Sequence, residues 1–361
     1  MNATSTRLNR IAILATAVGI VACNEEITAP PEDASTSPEF AMAGVGSWAG
    51  RASMPTPRQG LATAVVQNAS GQYILYAIGG CCGTSGTTYA LARVEAYNAS
   101  TNTWTRKADL PAKRAHLNGA EVIGGKIYVP GGNDINGVAT KTLYVYNPTT
   151  NTWSQKANLP RSIAGGITGV IGGKLFLLTG GPNGLPQRLY RYDPSTNVWT
   201  RRADSPRDHR LGSGAVINGK FYVAWGHSPT VDMYNPATNA WTRRLTMSRA
   251  DWPQYSCTDP ERDVAGPALF YSAGINLSNK LFVIGGTHTD CEFDDVLHAD
   301  THAYDPATNR WTRMASLART REDMGVGKVK NAAGKLQLIV TGGASGFEGD
   351  EIVRTTEAFT P

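Results

Sequence analysis

The sequence lacks most of the signatures that announce a chemistry. It holds no phosphate loop, no nucleophile elbow and no paired catalytic signature. No run of Lys and Arg marks a nucleic-acid surface. Arg51, Lys107, Lys156, Arg202 and Arg244 instead recur at matching repeat positions, as solvated strand faces do. Charged residues make up only 17% of the 361, and the net charge of +5 includes Arg7 and Arg10 near the N-terminus, so the rest is only mildly basic. Histidine is scarce too, at six residues, and His288, Cys291, His298 and His302 fit no closed zinc spacing. Asp290, Glu292 and Asp294 alternate as in a calcium loop but lack its glycine and distal glutamate, so neither metal nor cofactor is expected.

What the chain does have is a recurrence. The octet from Tyr97 to Trp104 (YNASTNTW) returns from Tyr146 to Trp153, Tyr192 to Trp199, Tyr234 to Trp241 and Tyr304 to Trp311. Before these copies lie β-rich runs ending in Gly79-Gly80, Gly131-Gly132, Gly180-Gly181 and Gly285-Gly286, with Trp225-Gly226 ahead of the fourth copy and a last pair at Gly342-Gly343. A period of roughly 40 to 70 residues with these marks belongs to a radial repeat. Each unit reads as a four-stranded antiparallel meander: β-branched and aromatic runs are separated by turn residues. The innermost run is small and Gly/Ala-rich, as crowding around an axis requires. Asn or Asp followed by Pro suits a type I turn between the third and fourth strands. Tyr and Trp fill the wedge between neighbouring sheets.

These motifs resemble the kelch repeat over nearly all of Ser47 to Pro361, and the resemblance implies an all-β, six-bladed β-propeller. The chain ends supply the sixth blade. TTEAFTP at the C-terminus aligns with the third-strand segments of other units, and SWAGRASMP (Ser47 to Pro55) aligns with their Trp-bearing fourth strands. An N-terminal strand around Trp48 therefore completes the last blade and removes two exposed sheet edges.

Residues 1–22 read as a lipoprotein signal peptide: a basic start, then the apolar segment Ile11 to Val21, too short to span a bilayer. Ile20-Val21-Ala22-Cys23 resembles a bacterial lipobox, which implies lipidation of Cys23 and anchorage at the cell envelope. Residues 23–46 are acidic and rich in Pro, Ser and Ala; they read as a tether holding the 47–361 propeller roughly 30 Å from its anchor. Of the four other cysteines, Cys257 and Cys291 fall in loops expected on one face of the fifth blade and are expected to pair. For Cys81 and Cys82 a vicinal bridge, pairing with the fifth blade and free thiols all stay open.

Function on such a scaffold gathers on one face. Met247 to Pro267 and Gly286 to Ala299 are the longest expected loops. The segments leading into the blades carry Arg58, Arg114, His116, Asp208, His209, Arg210, Arg249, Asp251, Arg321, Glu322 and Asp323 towards the channel mouth. Converging arginines suit a carboxylate or a polyol, and equally suit bracing between blades. Two functions compete. One is a surface-displayed module binding a glycan or a protein, monomeric, touching the membrane only through its lipid and binding no nucleic acid. The other follows from resemblance to periplasmic sialic-acid mutarotases, which implies acid/base work by a glutamate near an arginine; Glu322 and Arg321 are the candidates, with Glu292 and Arg210 behind them. A set matching a galactose-oxidase-like copper site is not found. A perturbed acid at the channel mouth would favour the enzyme.

Overall fold

The computed structural model describes residues 45–82, 89–117, 119–179, 187–247, 268–289, 295–346 and 351–361, all within one compact unit, Pro38–Pro361. Every regular element among them is a strand. The first, β1 (Ser47–Arg51), belongs to the last blade. Blade 1 holds β2 (Ala62–Gln67), β3 (Tyr73–Ile78), β4 (Val94–Asn98) and β5 (Thr103–Arg106). Blade 2 holds β6 (Glu121–Ile123), β7 (Lys126–Pro130), β8 (Leu143–Asn147) and β9 (Thr152–Lys156). Blade 3 holds β10 (Ile167–Ile171), β11 (Lys174–Leu178), β12 (Leu189–Asp193) and β13 (Val198–Arg201). Blade 4 holds β14 (Ser213–Ile217), β15 (Lys220–Ala224), β16 (Thr230–Asn235) and β17 (Ala240–Thr246). Blade 5 holds β18 (Ala273–Leu277), β19 (Lys280–Thr289), β20 (Asp295–Asp305) and β21 (Arg310–Met314). Blade 6 holds β22 (Gly325–Lys330), β23 (Leu336–Thr341) and β26 (Thr356–Thr360), with the short pair β24 (Ala344–Ser345) and β25 (Glu351–Ile352) between them.

Each blade is a four-stranded antiparallel sheet, and the ring closes as the chain ends foretold. β1 pairs with β26 in blade 6, Trp48 opposite Phe359. The six innermost strands stand side by side around an axis, where a Cβ on Gly274 would come within 2.6 Å of Gly214 N. Small residues are therefore a packing requirement there.

The repeated octet explains how the blades are stitched. Its Asn or Asp folds the turn, as when the Ser195 N–H donates to Asp193 Oδ1 (3.0 Å). Its second Asn is left-handed, with φ between 52° and 58° in the copies at Asn102, Asn151, Asn197, Asn239 and Asn309 (φ 55°, 53°, 58°, 52° and 57°). Asn151 Oδ1 accepts from the Tyr146 hydroxyl at 2.6 Å and from the Ala108 N–H of the preceding blade boundary at 2.9 Å. Trp153 Nε1 then donates to Ala108 O at 2.9 Å. Asn102 with Ala52, Asn197 with Ala157 and Asn239 with Ala203 repeat the arrangement. Tyr146 and Trp153 also pack ring against ring, centroids 4.9 Å apart.

The double glycine has an equally definite task. Gly79 and Gly80 are both left-handed (φ 59° and 96°), and the Gly80 N–H donates to Arg114 O in the next blade at 2.9 Å. A Cβ on Gly79 would stand 2.8 Å from that same carbonyl. In blade 4 Trp225 occupies the first glycine position at φ 65° and is fully buried. One expectation changes: much of 286–299 is strand, not loop, because β19 and β20 continue past a bulge between Ile284 and Gly286.

Candidate functional site

The segments leading into the six blades share one backbone feature. Gly60, His116, Gly165, Leu211, Tyr271 and Asp323 occupy the same position in successive blades and are all left-handed, at φ 59°, 47°, 67°, 61°, 53° and 49°. They hold hands around the channel rim: Gly60 N donates to Asp323 O (2.9 Å), Gly165 N to His116 O (3.0 Å), Tyr271 N to Leu211 O (2.7 Å) and Asp323 N to Tyr271 O (2.9 Å). Four of the six are not glycine. Such residues each cost on the order of 1–3 kcal/mol, persist only where the surroundings over-determine them, and gather at functional sites. Leu211, Tyr271 and Asp323 line a central channel of about 610 Å3.

A cluster of ionisable groups sits on that rim. His116 Nδ1 lies 3.5 Å from Asp323 Oδ2, reaching from blade 2 to blade 6 across Gly60 of blade 1. A Cβ at Gly60 would come within 3.3 Å of that same nitrogen. The bond to Asp323 raises the His116 pKa, with burial opposing. Beside it, burial first and then the Asp323 and Asp295 charges push the Glu322 carboxyl up to about 8. No side chain among the described residues hydrogen-bonds that carboxyl. Tyr271 is pushed up to about 12 by burial and by Asp323, Glu322 and Asp295. A carboxyl raised in this way favours its protonated form near neutrality, and it lies within electrostatic reach of Tyr271 and of the histidine-bound Asp323.

Deeper in the channel, Glu121 is hemmed in by protein while its surface still meets the lumen. Burial pushes its carboxyl up to about 7, opposed by the Thr168 hydroxyl, which donates to Oε1 at 3.0 Å.

The Kelch motif is matched over residues 67–111, 114–160 and 271–318, which span blades 1, 2 and 5. The chain carries Kelch motifs. An F-box/kelch-repeat protein of Arabidopsis thaliana is 31% identical over 109 residues, covering 30% of this chain and 29% of that protein. The match thus spans less than a third of that relative's length. The solved structure of YjhT aligns with a TM-score of 0.63 at 16% identity, over 84% of this chain and 95% of that one, a likeness of fold.

On this kelch propeller most of the expected arginines turn away from the channel. Arg58 is fully buried, with Nη2 2.9 Å from Glu95 Oε2. Arg321 is 1% exposed, bonded to Glu357 (2.8 Å) and to the Thr355 hydroxyl (2.6 Å). Arg114 lies over the Tyr144 ring at 5.5 Å and donates to the Thr142 hydroxyl. His209 is fully buried, its Nε2 2.8 Å from Asp232 and its Nδ1 2.9 Å from Trp225 O. All four occupy one position, two residues before the left-handed residue, and brace the third strand of their own blade. A guanidinium so engaged does not present a fork to a ligand, so Arg58, Arg114, His209 and Arg321 are placed as braces. Asp208 and Arg210 stay at the surface, paired to each other at 3.0 Å.

Of the remaining expectations, Asp251 and Arg249, the Cys257–Cys291 bridge, Cys23, and Asp290, Glu292 and Asp294 lie outside the described residues. Cys81 is buried and free whereas Cys82 is disulfide-bonded, which excludes the vicinal bridge. His302 is a buried strand residue, edge-on to Trp311, and stands where Glu95, Tyr144 and Tyr190 stand on the third strands of other blades. Tyr271, Asp295 and Glu121 went unnoticed in the sequence. The available signal was positional: Tyr271 stands in register with Gly60 and Gly165, where a bulky side chain is costly.

Proposed function

We propose that this chain is a recognition propeller that takes a carbohydrate at the rim of its channel, displayed at a bacterial cell envelope by a lipid on Cys23. The observation that carries the reading is the rim itself: strained, non-glycine residues bring Tyr271, Asp323 and His116 beside Glu322, whose carboxyl has no bonding partner among the described side chains. Hydroxyl-rich ligands need such mixed donors and acceptors with an aromatic face for the apolar side of a ring. The buried arginines weigh against an acidic sugar as the preferred ligand, since the groups left at the rim are mainly carboxyls. A protein ligand is the competing occupant.

One observation favours a second reading, an acid/base carbohydrate isomerase. Glu322, pushed up to about 8, keeps its proton near neutrality and stands beside the histidine-bound Asp323. A donor next to an acceptor is what ring opening and closing of a sugar requires. In this reading Glu322 would donate to the ring oxygen while a neighbouring base takes the anomeric hydroxyl proton.

A glycan array on folded protein tests both. Selective binding that Tyr271→Ala and Glu322→Gln weaken tenfold or more is expected, and anomer exchange followed by NMR on the bound sugar then separates binder from isomerase. A blank array removes both carbohydrate readings and leaves the protein ligand. An unmodified Cys23, read by mass in the membrane fraction, removes the anchor.

A further inference from the structure

The face opposite the channel rim is marked by lysines. The tight turn between the first two strands of a blade is closed by Lys126 opposite Ile123, Lys174 opposite Ile171, Lys220 opposite Ile217 and Lys280 opposite Leu277, in blades 2 to 5. In blade 6 this turn is longer and carries Lys330 and Lys335. The turns between third and fourth strands share the face and add Arg310. Among the described residues, the carboxylates at these turns and strand ends are Asp193 and Asp305 alone. Seven cations against two anions leave the face an excess of five positive charges, as large as the net charge of the whole chain.

That excess is not neutralised within the protein. Lys174 Nζ lies 2.6 Å from Asp193 Oδ1 and Lys280 Nζ 3.3 Å from Asp305 Oδ2, which uses both aspartates. Blades 2 and 4 have Asn147 and Asn235 where blades 3 and 5 have those aspartates. Lys126, Lys220, Lys330 and Lys335 accordingly make no ion pair among the described residues. Lys126, Lys330 and Lys335 are exposed and Lys220 is half-buried. Blades 2, 4 and 6 thus each present an unpaired ammonium, spaced around the far mouth of the channel. Long flexible stems let ammonium groups carried by separate turns come level with one plane.

Two strands fix the direction of this face. The innermost strand of blade 6, β22, runs from Gly325, two residues after Asp323 at the rim, to Lys330, so the rim and the lysines stand at opposite ends of the channel. β1 enters the propeller at the lysine end, where Ser47 lies opposite Thr360. A tether of roughly 30 Å from a lipid on Cys23 therefore meets the propeller on this side. We propose that the lysine-bearing face docks on the anionic phosphate headgroups of a membrane surface and so turns the channel rim away from the bilayer. The attraction of ammonium groups to an anionic leaflet accumulates lysine by lysine, reaches over about 10 Å at 0.1 M salt and needs no pocket. It supplements a lipid anchor as a polybasic patch does. The direction in which the face looks rests on the anchor of the proposed function; its charge does not.

The test uses the full chain carrying Cys23→Ser, which cannot be lipidated, so a failed anchor reading leaves its result untouched. Co-sedimentation is measured with phosphatidylcholine vesicles, with and without a third of phosphatidylglycerol, at low salt. Binding is expected on the anionic vesicles, at least tenfold weaker on the neutral ones and suppressed by molar salt. Joint replacement by Lys126→Gln, Lys220→Gln and Lys335→Gln is expected to weaken it at least tenfold. Lys113→Gln, Lys141→Gln and Arg161→Gln remove as many charges from the rim side, beside the Leu91–Arg114 and Thr140–Ile163 bridges, and are expected to change it less than twofold. Equal loss in the two triple variants overturns the proposal, as does equal attachment to both kinds of vesicle. Tighter retention on duplex DNA than on the anionic vesicles at the same salt also overturns it and assigns the face to a nucleic acid. Should the first triple variant fail to fold, amine labelling of the chain with its lysines intact decides: anionic vesicles must protect Lys126, Lys220 and Lys335 and leave Lys113 and Lys141 reactive, and the reverse pattern overturns the docking face.

Discussion

Glu322 illustrates how much a single side chain owes to its surroundings. Its neighbours in the chain, Arg321 and Asp323, point to different fates: the guanidinium goes inward to Glu357, and the carboxylate goes to His116. Glu322 is left on the rim, pushed from 4.5 to about 8 by burial, Asp323 and Asp295. A raised carboxyl binds its proton more tightly in the folded chain. The stability it permits is complete below about pH 4.5, declines as pH rises through the window up to about 8, and levels off above it, with a slope of up to about 1.4 kcal/mol per pH unit. Glu322→Gln removes that linkage while leaving Glu121 in both proteins. The difference in unfolding free energy, variant minus wild type, should therefore grow between pH 4.5 and 8 in urea titrations; a difference independent of pH would mean the carboxyl is not so perturbed. Sequence alone could place Glu322 near the channel mouth because its position follows from the repeat. It could not separate Glu322 from Arg321, since which of two adjacent side chains faces the blade depends on a partner, Glu357, far along the chain. The same holds for Arg58, whose partner Glu95 was legible as a strand residue but not as a counter-ion.

At the scale of the element, the repeated octet is a connector as much as a turn. Tyr and Trp are visible in the sequence as wedge-filling residues, and the structure keeps them so. The Asn two residues before each Trp looked like turn chemistry only, because its second bond runs to a backbone N–H about 40 residues upstream: Asn151 meets Ala108 N at 2.9 Å and the Tyr146 hydroxyl at 2.6 Å. Asn151→Ala loses both bonds and places a non-glycine, non-Asn residue at φ 53°. A destabilisation on the order of 1–3 kcal/mol is expected. Asn151→Gly relieves the backbone term and keeps the loss of both bonds, so it should recover only part of the stability in chemical denaturation. Full recovery would show that Asn151 serves the turn and not the blade boundary. The double glycine is visible in the sequence as a repeated mark, and the structure supplies its reason: only the absence of a Cβ on Gly79 lets Arg114 O approach Gly80 N.

For the whole molecule the decisive event is closure, because a ring of blades has no edge and an open array has two. Blade 6 is the one blade assembled from both ends of the propeller sequence. β26 would be an exposed edge strand without β1, which pairs with it from Ser47–Thr360 to Arg51–Thr356. The joint is packed as well as bonded: the Trp48 and Phe359 rings are 5.2 Å apart, and Trp48 Nε1 donates to Ala315 O of blade 5 at 2.8 Å. Blade 6 in turn carries Glu322 and Asp323, so the rim depends on closure: Gly60 N in blade 1 bonds to Asp323 O, and His116 in blade 2 bonds to the Asp323 side chain. A chain beginning after Arg51 should therefore lose stability by several kcal/mol, self-associate through its free β26 edge, and lose both ligand binding and the upward shift of His116, to be followed by an NMR titration. A synthetic peptide spanning residues 45–53 should restore the monomer and the His116 titration by supplying the missing strand, as edge addition does in other sheets. Trp48→Ala in the same peptide should complement poorly, since it keeps the strand but not the plug. If the shortened chain stays monomeric and His116 titrates as in the whole protein, closure through β1 is not what holds the rim in register.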